Sequence, residues 1–364
     1  MTIGIDIRKY FDYGIGTYIQ NLLAEMHLQS NDQFVCFISP AQLEYVQQRV
    51  SDRLVLESAG LYSIKELFSL SRKANAERLN VFHAPHYTLP YRLAMPSVVT
   101  IHDIIHLKFK EYFSVVQRTY AQCIIAHACK DSTAILVNSE FTKQELLARF
   151  DIDPEKLTVT YPGVNPQFYQ RVSEEQKEKF RHAHTLNKPY ILYLGSMKPY
   201  KNIKILLEAF QVIRTSFDVQ LVFVGETVQK NPELACILER SSVARSVTQL
   251  GKIEQQELLL AYQSASAVVL PSLYEGFGSP MVEAMASGVP AIGACGTAIS
   301  EIVGDGGLLF DPHDTNDLAE KIGSVLSDNL LRSQLIERGL QRVKMFSYTQ
   351  CAQQTLEVYR KVVQ

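Results

Sequence analysis

Leu270-Pro-Ser-Leu-Tyr-Glu-Gly-Phe-Gly-Ser-Pro-Met-Val-Glu-Ala-Met-Ala-Ser-Gly-Val-Pro290 carries more structural information than any other segment of the chain. The apolar run before it breaks at Pro271, a loop with glycines at 276 and 278 follows, and an Ala- and Met-rich amphipathic stretch begins near Ser279. The pattern reads as strand end, glycine-bearing loop and helix, with Ser279 and Pro280 expected at the N-cap and first turn. In an open parallel sheet, ligands gather beyond the carboxyl ends of the strands, and the N–H groups that open a helix favour an anion. The backbone from Gly278 to Met281 is therefore expected to cradle a diphosphate. Glu275 lies in the loop and Glu283 in the first turns of the helix, so both can face one crevice at different depths. A carboxylate accepts well from sugar hydroxyls and sits badly beside a phosphate, so each should address a hydroxyl-bearing part of the ligand. The alternative makes Glu275 a solvated loop residue and Glu283 a partner of the helix dipole.

The same grammar extends along the whole chain. Short runs rich in Val, Ile, Leu and Phe alternate with longer amphipathic stretches, the pattern of parallel sheets covered by helices. Strands are expected at Ile3 to Ile7, Phe34 to Ile38, around Val55, and at Asn80 to His83, Val98 to Ile101, Ala134 to Val137 and Thr158 to Thr160. A second series runs through Tyr190 to Leu194, Gln220 to Val224, Val247 to Leu250, Ala267 to Leu270, Val289 to Ile292 and Leu308 to Phe310. The 364 residues exceed one ordinary core, and domains of about 150 to 200 residues suit them. Tyr161-Pro-Gly-Val-Asn-Pro166 separates the two series, giving domains over 1–166 and 167–345. The amphipathic Thr349 to Val363 has no strand after it and must pack on something already built.

A formal charge of -2 gives no general reason to expect nucleic acid as a partner, since phosphate backbones are held by an excess of Lys and Arg. Six cysteines without a CxxC pair read as reduced, buried residues of a cytosolic protein. The opening IGIDI is strand-like rather than a basic leader, and no apolar run is long enough for a membrane span. The tract from Lys108 to Lys130 interleaves basic and apolar residues. It reads as an amphipathic core helix, with a peripheral membrane contact as the other reading.

Three smaller motifs invite chemistry. Gly14 and Gly16, after the first strand, allow close backbone approach, but the third glycine of a dinucleotide fingerprint is absent and the second strand ends without an acidic residue, which argues against NAD. His102 ends a strand in HDIIH, where a zinc site would need both histidines on one helix face; a plain core or capping histidine is the other reading. Asp151-Ile-Asp153 imitates a metal-binding DxD, yet before Pro154 it reads as a cap. Ser139 with Thr142 reads as a capped helix start.

With VNSEFTKQEL at 137–146, TVTYPGV at 158–164, YILYLGSMKPYKNIKILLEAF at 190–210 and GDGGLLFDPHD at 304–314, the opening segment closely resembles the signature of the family 4 retaining glycosyltransferases, in which EGFG(x)P(xx)EAMA(x)G(x)P places two Glu with seven residues between them. The resemblance spans nearly the whole chain. It implies an α/β GT-B fold, two Rossmann-like doubly wound domains facing a cleft, with 346–364 crossing back to the N-terminal domain. It further implies a hexose, of mannose or glucose type, moved with retention from a GDP- or UDP-linked donor to a saccharide or lipid-linked acceptor of surface polysaccharide or lipopolysaccharide synthesis. Residue by residue, it gives Glu283 the ribose diol, Glu275 the donor-sugar hydroxyls, and the backbone of Phe277, Gly278, Ser279, Pro280 and Met281 the sugar and diphosphate. Lys201, in a GxxxxxK block begun by Gly195, would neutralise the leaving diphosphate. The family often has an Arg where this chain has Tyr200 or Ser196, and Lys198 is the residue that could replace its charge. Lys252 and Ile253 would seat the base, Gly14 and Gly16 would close over the diphosphate, and His102 would stand by the donor sugar. Neither a cofactor nor a metal is implied. An epimerase or hydrolase of the same fold and an inactive partner subunit are the alternatives.

Overall fold

A computed structural model describes all residues from Met1 to Gln364. The chain divides into two compact units, Met1–Gly163 with Phe346–Gln364, and Val164–Met345. Each is built on one parallel sheet.

In the first unit, β1 (Thr2–Asp6), β2 (Gln33–Ile38), β3 (Arg53–Leu56), β4 (Val81–Ala84), β5 (Ser97–Ile101), β6 (Ala134–Val137) and β7 (Leu157–Val159) lie in the order β3-β2-β1-β4-β5-β6-β7. The second contains β8 (Tyr190–Gly195), β9 (Gln220–Gly225), β10 (Val247–Gly251), β11 (Ala267–Leu270), β12 (Ala291–Ala294) and β13 (Leu308–Phe310), in the order β10-β9-β8-β11-β12-β13. Helices cover both faces, so the central strands are buried throughout and their sequences are continuously apolar rather than alternating. Each winding starts at a central strand, runs outward, and restarts on the other side. Direction therefore reverses between β1 and β4, and again between β8 and β11.

Two expectations need correction. The strand expected at Val289 to Ile292 begins at Ala291, because Pro290 has no N–H for the ladder and contributes only its carbonyl, which accepts from Val268 N at 2.9 Å. The cysteines are all unbridged, but only Cys36, Cys129 and Cys351 are buried; Cys123, on the outer face of the helix Val115–Asp131, is exposed. That helix buries Ala121, Ile124, Ile125 and Ala128 and leaves Val115 and Val116 in solvent.

The final helix, Tyr348–Val363, buries Cys351, Ala352, Leu356 and Tyr359 in the core of the first unit, against the face of Ile15–Gln29 that carries Tyr18, Leu22 and Met26. Its deepest contact is polar. Tyr359 OH stands 2.6 Å from His83 Nδ1, and Thr100 Oγ1 stands 2.7 Å from His83 Nε2. Burial pushes this imidazole down to about 3, so the ring is neutral, with one nitrogen donating and the other accepting. Where the helix begins, Gly163 lies so close that a Cβ there would meet Tyr348 N at 2.0 Å and Ser347 C at 2.7 Å. Backbone cannot swing aside as a side-chain tip can. Gly163→Ala is expected to destabilise the first unit by about 3 kcal/mol, visible as a lower melting temperature; a melt unchanged from wild type would show that the last helix can shift without loss.

Candidate active site

Lys201 and Glu275 meet at the place where the second sheet reverses direction. Lys201 follows β8 in a single turn, Pro199–Lys201, and Glu275 follows β11. A backbone bond from Leu273 N to Tyr200 O, 2.8 Å, ties the two loops together. Lys201 Nζ donates to Glu275 Oε1 at 2.6 Å, and Ser272 Oγ donates to the same oxygen at 2.6 Å. Both charged side chains are largely enclosed, 18% and 15% exposed, with Ser272 fully buried beneath them. Two donors converge on Oε1, which fixes the carboxylate.

Glu283 lies in the helix Ser279–Ala286. Tyr262 OH donates to its Oε2 at 2.5 Å. Burial pushes the carboxyl up to about 7, against the pull of that hydrogen bond, and pushes the Tyr262 phenol up as well. Tyr262 is held in turn by Phe168, whose ring meets it edge-on at 5.4 Å.

The start of this helix differs from expectation. The N-cap is Gly278, at φ 92 and ψ 52, and Ser279 is the first helical residue; no side chain caps the turn. A Cβ at 278 would find Ile299 Cγ1 at 3.4 Å, so the left-handed backbone, more than crowding, calls for glycine. Pro280 has no amide to give, and Met281 N already donates to Gly278 O at 2.9 Å. Of the amides expected from 277 to 281 to meet an anion, residue 280 therefore offers none and that of Met281 is already engaged.

Lys198 is exposed and enters no ion pair, one residue after Met197, whose amide donates to Glu226 Oε2 at 3.0 Å and whose carbonyl accepts from Asn231 Nδ2 at 3.1 Å. Lys252 and Ile253 follow β10, the edge strand, so β9 separates their loop from the Lys201–Glu275 pair. Ser272, Tyr262 and Glu226 escaped the sequence reading. Ser272 was in the quoted segment, three residues before Glu275. Tyr262 and Glu226 carry no local signal, because only the packing of separate strands brings them in.

In the first unit, Gly14 has φ 63 and opens the helix Ile15–Gln29. Gly16 is buried, and a Cβ there would meet Tyr10 O at 2.5 Å. A side chain at 16 would run into the chain's own backbone. His102 Nε2 lies 3.0 Å from Pro85 O, and the ring meets Tyr18 edge-on at 4.9 Å. A carbonyl only accepts, so Nε2 carries the proton; burial lowers the imidazole's proton affinity, which leaves Nδ1 as an acceptor. His106 is turned elsewhere, its ring 4.4 Å from Phe113. Asp153 caps its turn by accepting from Glu155 N at 3.0 Å, and Ser139 Oγ accepts from Thr142 N at 3.0 Å.

Two doubly wound parallel sheets, one with an ion-paired Lys–Glu beyond the strands at its reversal point, are the architecture of the GT-B class. Comparison makes this specific. Residues 13–168 match the family described as Glycosyltransferase Family 4 and residues 174–342 that described as Glycosyl transferases group 1. The chain is 30% identical over 282 residues to the O-antigen chain mannosyltransferase B of Escherichia coli, covering 77% of this chain and 74% of that protein. It is 27% identical to the O-antigen chain mannosyltransferase RfbU of Salmonella typhimurium, over 66% of this chain and 63% of the relative. The crystal structure of Anabaena Alr3699/HepE in complex with UDP and glucose superposes with a TM-score of 0.80 at 18% identity, covering 99% of this chain and 100% of that one. The chain belongs to the family 4, group 1 glycosyltransferases.

Proposed function

We propose that the protein transfers a hexose, mannose before glucose, with retention of configuration, from a GDP- or UDP-linked donor to a saccharide or lipid-linked saccharide acceptor of surface polysaccharide or lipopolysaccharide synthesis. The observation that carries this reading is the Lys201–Glu275–Ser272 cluster at the reversal point of the second sheet. An ammonium already fixed beside the ligand crevice can neutralise a departing diphosphate without a metal ion. Glu275 accepts from sugar hydroxyls, Glu283 accepts from the ribose diol, and the Gly278 and Ser279 amides face the diphosphate. The neutral His102 of the first unit keeps Nδ1 as an acceptor for a sugar hydroxyl. No carboxylate in this arrangement is poised as a nucleophile, so the departing phosphate takes the acceptor's proton on the same face. The mannosyltransferase relatives favour mannose. No helix of the chain is long and apolar enough to cross a membrane; a lipid-linked acceptor would be met at the membrane surface.

Calorimetric titration with UDP, GDP and ADP in EDTA tests the donor half. One nucleoside diphosphate is expected to bind with an affinity indifferent to EDTA. Binding only when a divalent ion is added, or of none of the three, would remove the proposal. Donor turnover without any acceptor would favour a hydrolase or epimerase instead.

A further inference from the structure

The opposite end of the second sheet holds charges that the reading above does not use. Where the chain leads into β8, β11 and β12, at the amino ends of the strands, a cavity of about 680 Å³ opens, walled by the helices Glu174–Ala183 and Asn329–Arg342. Its lining falls wholly within the unit Val164–Met345. Lys201 and Glu275 lie beyond the carboxyl ends of β8 and β11, so strands of six and four residues separate the two places, about 15–20 Å at about 3.3 Å per residue. A ligand held at one end leaves the other free.

Four arginines of this unit are partly buried: Arg181, Arg214, Arg332 and Arg342. Arg214 pairs with Asp218 at 2.7 Å, and Arg342 donates to Ile302 O at 3.2 Å. The guanidiniums of Arg181 and Arg332 enter no ion pair or hydrogen bond of the fold, and both residues line this cavity. The helix dipole accounts for Arg181, in a last turn, but not for Arg332, four residues after the N-cap Asp328. The other charges of the wall do not cancel them. Lys188 already shares Asp218 with Arg214, at 2.8 Å, and Glu178, the one carboxylate of the lining, is exposed and in no ion pair; His182 is the remaining titratable group. Two unpaired guanidiniums thus face one carboxylate. The amides of Ser264, Ala265, Ser266, Gly288 and Val289 on the floor already donate to backbone carbonyls, so recognition falls to the side chains.

A guanidinium presents a planar fork of N–H donors that matches the paired oxygens of a phosphate or carboxylate. A phosphomonoester has three free oxygens, enough for two forks, where a carboxylate has two. The volume is that of a small-molecule site, about 300–1,000 Å³. We infer that this cavity is a second ligand site, separate from the Lys201–Glu275 crevice, for a phosphomonoester on a body of sugar or nucleotide size, held by Arg181 and Arg332. The inference does not depend on the transferase reading.

The test is calorimetric titration of the full chain with mannose 6-phosphate, AMP and methyl α-mannoside, in a saturating nucleoside diphosphate where one binds, so that the other end is filled. At least one of the two phosphates is expected to bind, and the uncharged glycoside not to. Arg181→Gln and Arg332→Gln should each weaken that binding about tenfold or more, yet melt within a few degrees of wild type, because neither head group has a partner in the fold to lose. Arg181→Lys and Arg332→Lys, which keep the charge without the fork, should recover only part of it. Lys201→Met should leave it unchanged. Vesicles of phosphatidylcholine containing phosphatidic acid separate the sources: vesicle binding that both Gln variants lose would put the phosphate on a lipid headgroup, and binding of the soluble phosphates alone would put it on a free metabolite. Binding of neither phosphate nor vesicle, equal binding by wild type and both Gln variants, or a loss in Lys201→Met instead would overturn the inference.

Discussion

Lys201→Met is expected to lower kcat by about 10²–10³ at saturating donor, the cost of removing one fixed donor from the place where charge develops. Two effects combine. The leaving diphosphate loses the ammonium that would neutralise it, and Glu275 loses one of the two donors, at 2.6 Å each, that fix Oε1. The second loss makes a partly enclosed carboxylate a stronger deterrent to the incoming diphosphate. Lys201→Arg keeps the charge with a different reach and should recover part of the rate, whereas Glu275→Gln should recover none. Steady-state kinetics on the three variants decide the matter: a kcat for Lys201→Met within threefold of wild type would mean that the Lys201–Glu275 pair is structural.

The second large effect concerns pH and follows from Glu283. With its carboxyl pushed up to about 7 by burial, the free protein holds it protonated in acid and ionised in mild base. A ribose diol is best held by a carboxylate that accepts from both hydroxyls, so nucleoside diphosphate affinity should rise with pH up to about 7 and then level. The slope should approach tenfold per pH unit on the acid side. Glu283→Gln removes this rise but keeps the titration of the diphosphate itself, so the difference between the two curves belongs to Glu283. Glu283→Ala is harsher, because it strands the buried Tyr262 hydroxyl, and a loss of about 2–3 kcal/mol in donor binding is expected. Stability moves in the opposite direction. A carboxyl raised from 4.5 to about 7 on folding contributes stability that is fully present below 4.5 and lost as pH rises to about 7, roughly 3 kcal/mol at most. Unfolding of Glu283→Gln should therefore gain on wild type between pH 5 and 8. Parallel binding curves for wild type and Glu283→Gln would show that the carboxylate does not meet the ligand.

Much of the second unit's site was legible because its chemistry is local in sequence. Glu275, Gly278 and Glu283 fall within one strand–loop–helix passage, and the ends of parallel strands are where such sheets bind. Even there the cap was misplaced by one residue, since a serine beside a glycine looks the better N-cap until the backbone proves left-handed at Gly278. At Gly16, sequence shows that a glycine stands there and not what a side chain would strike, which is the Tyr10 carbonyl.

The amino-acid sequence by itself determined the class of fold, the two strand series and the strand–loop–helix passage that carries Glu275 and Glu283, because apolar period, chain punctuation and strand-end motifs are written in consecutive residues. Tertiary structure alone decided the partners. It set Ser272 and Lys201 on one oxygen of Glu275 and placed Tyr262 under Glu283. Those residues come from different strands and loops, and parallel pairing brings together segments far apart in the chain, so no spacing within any one segment records that they meet.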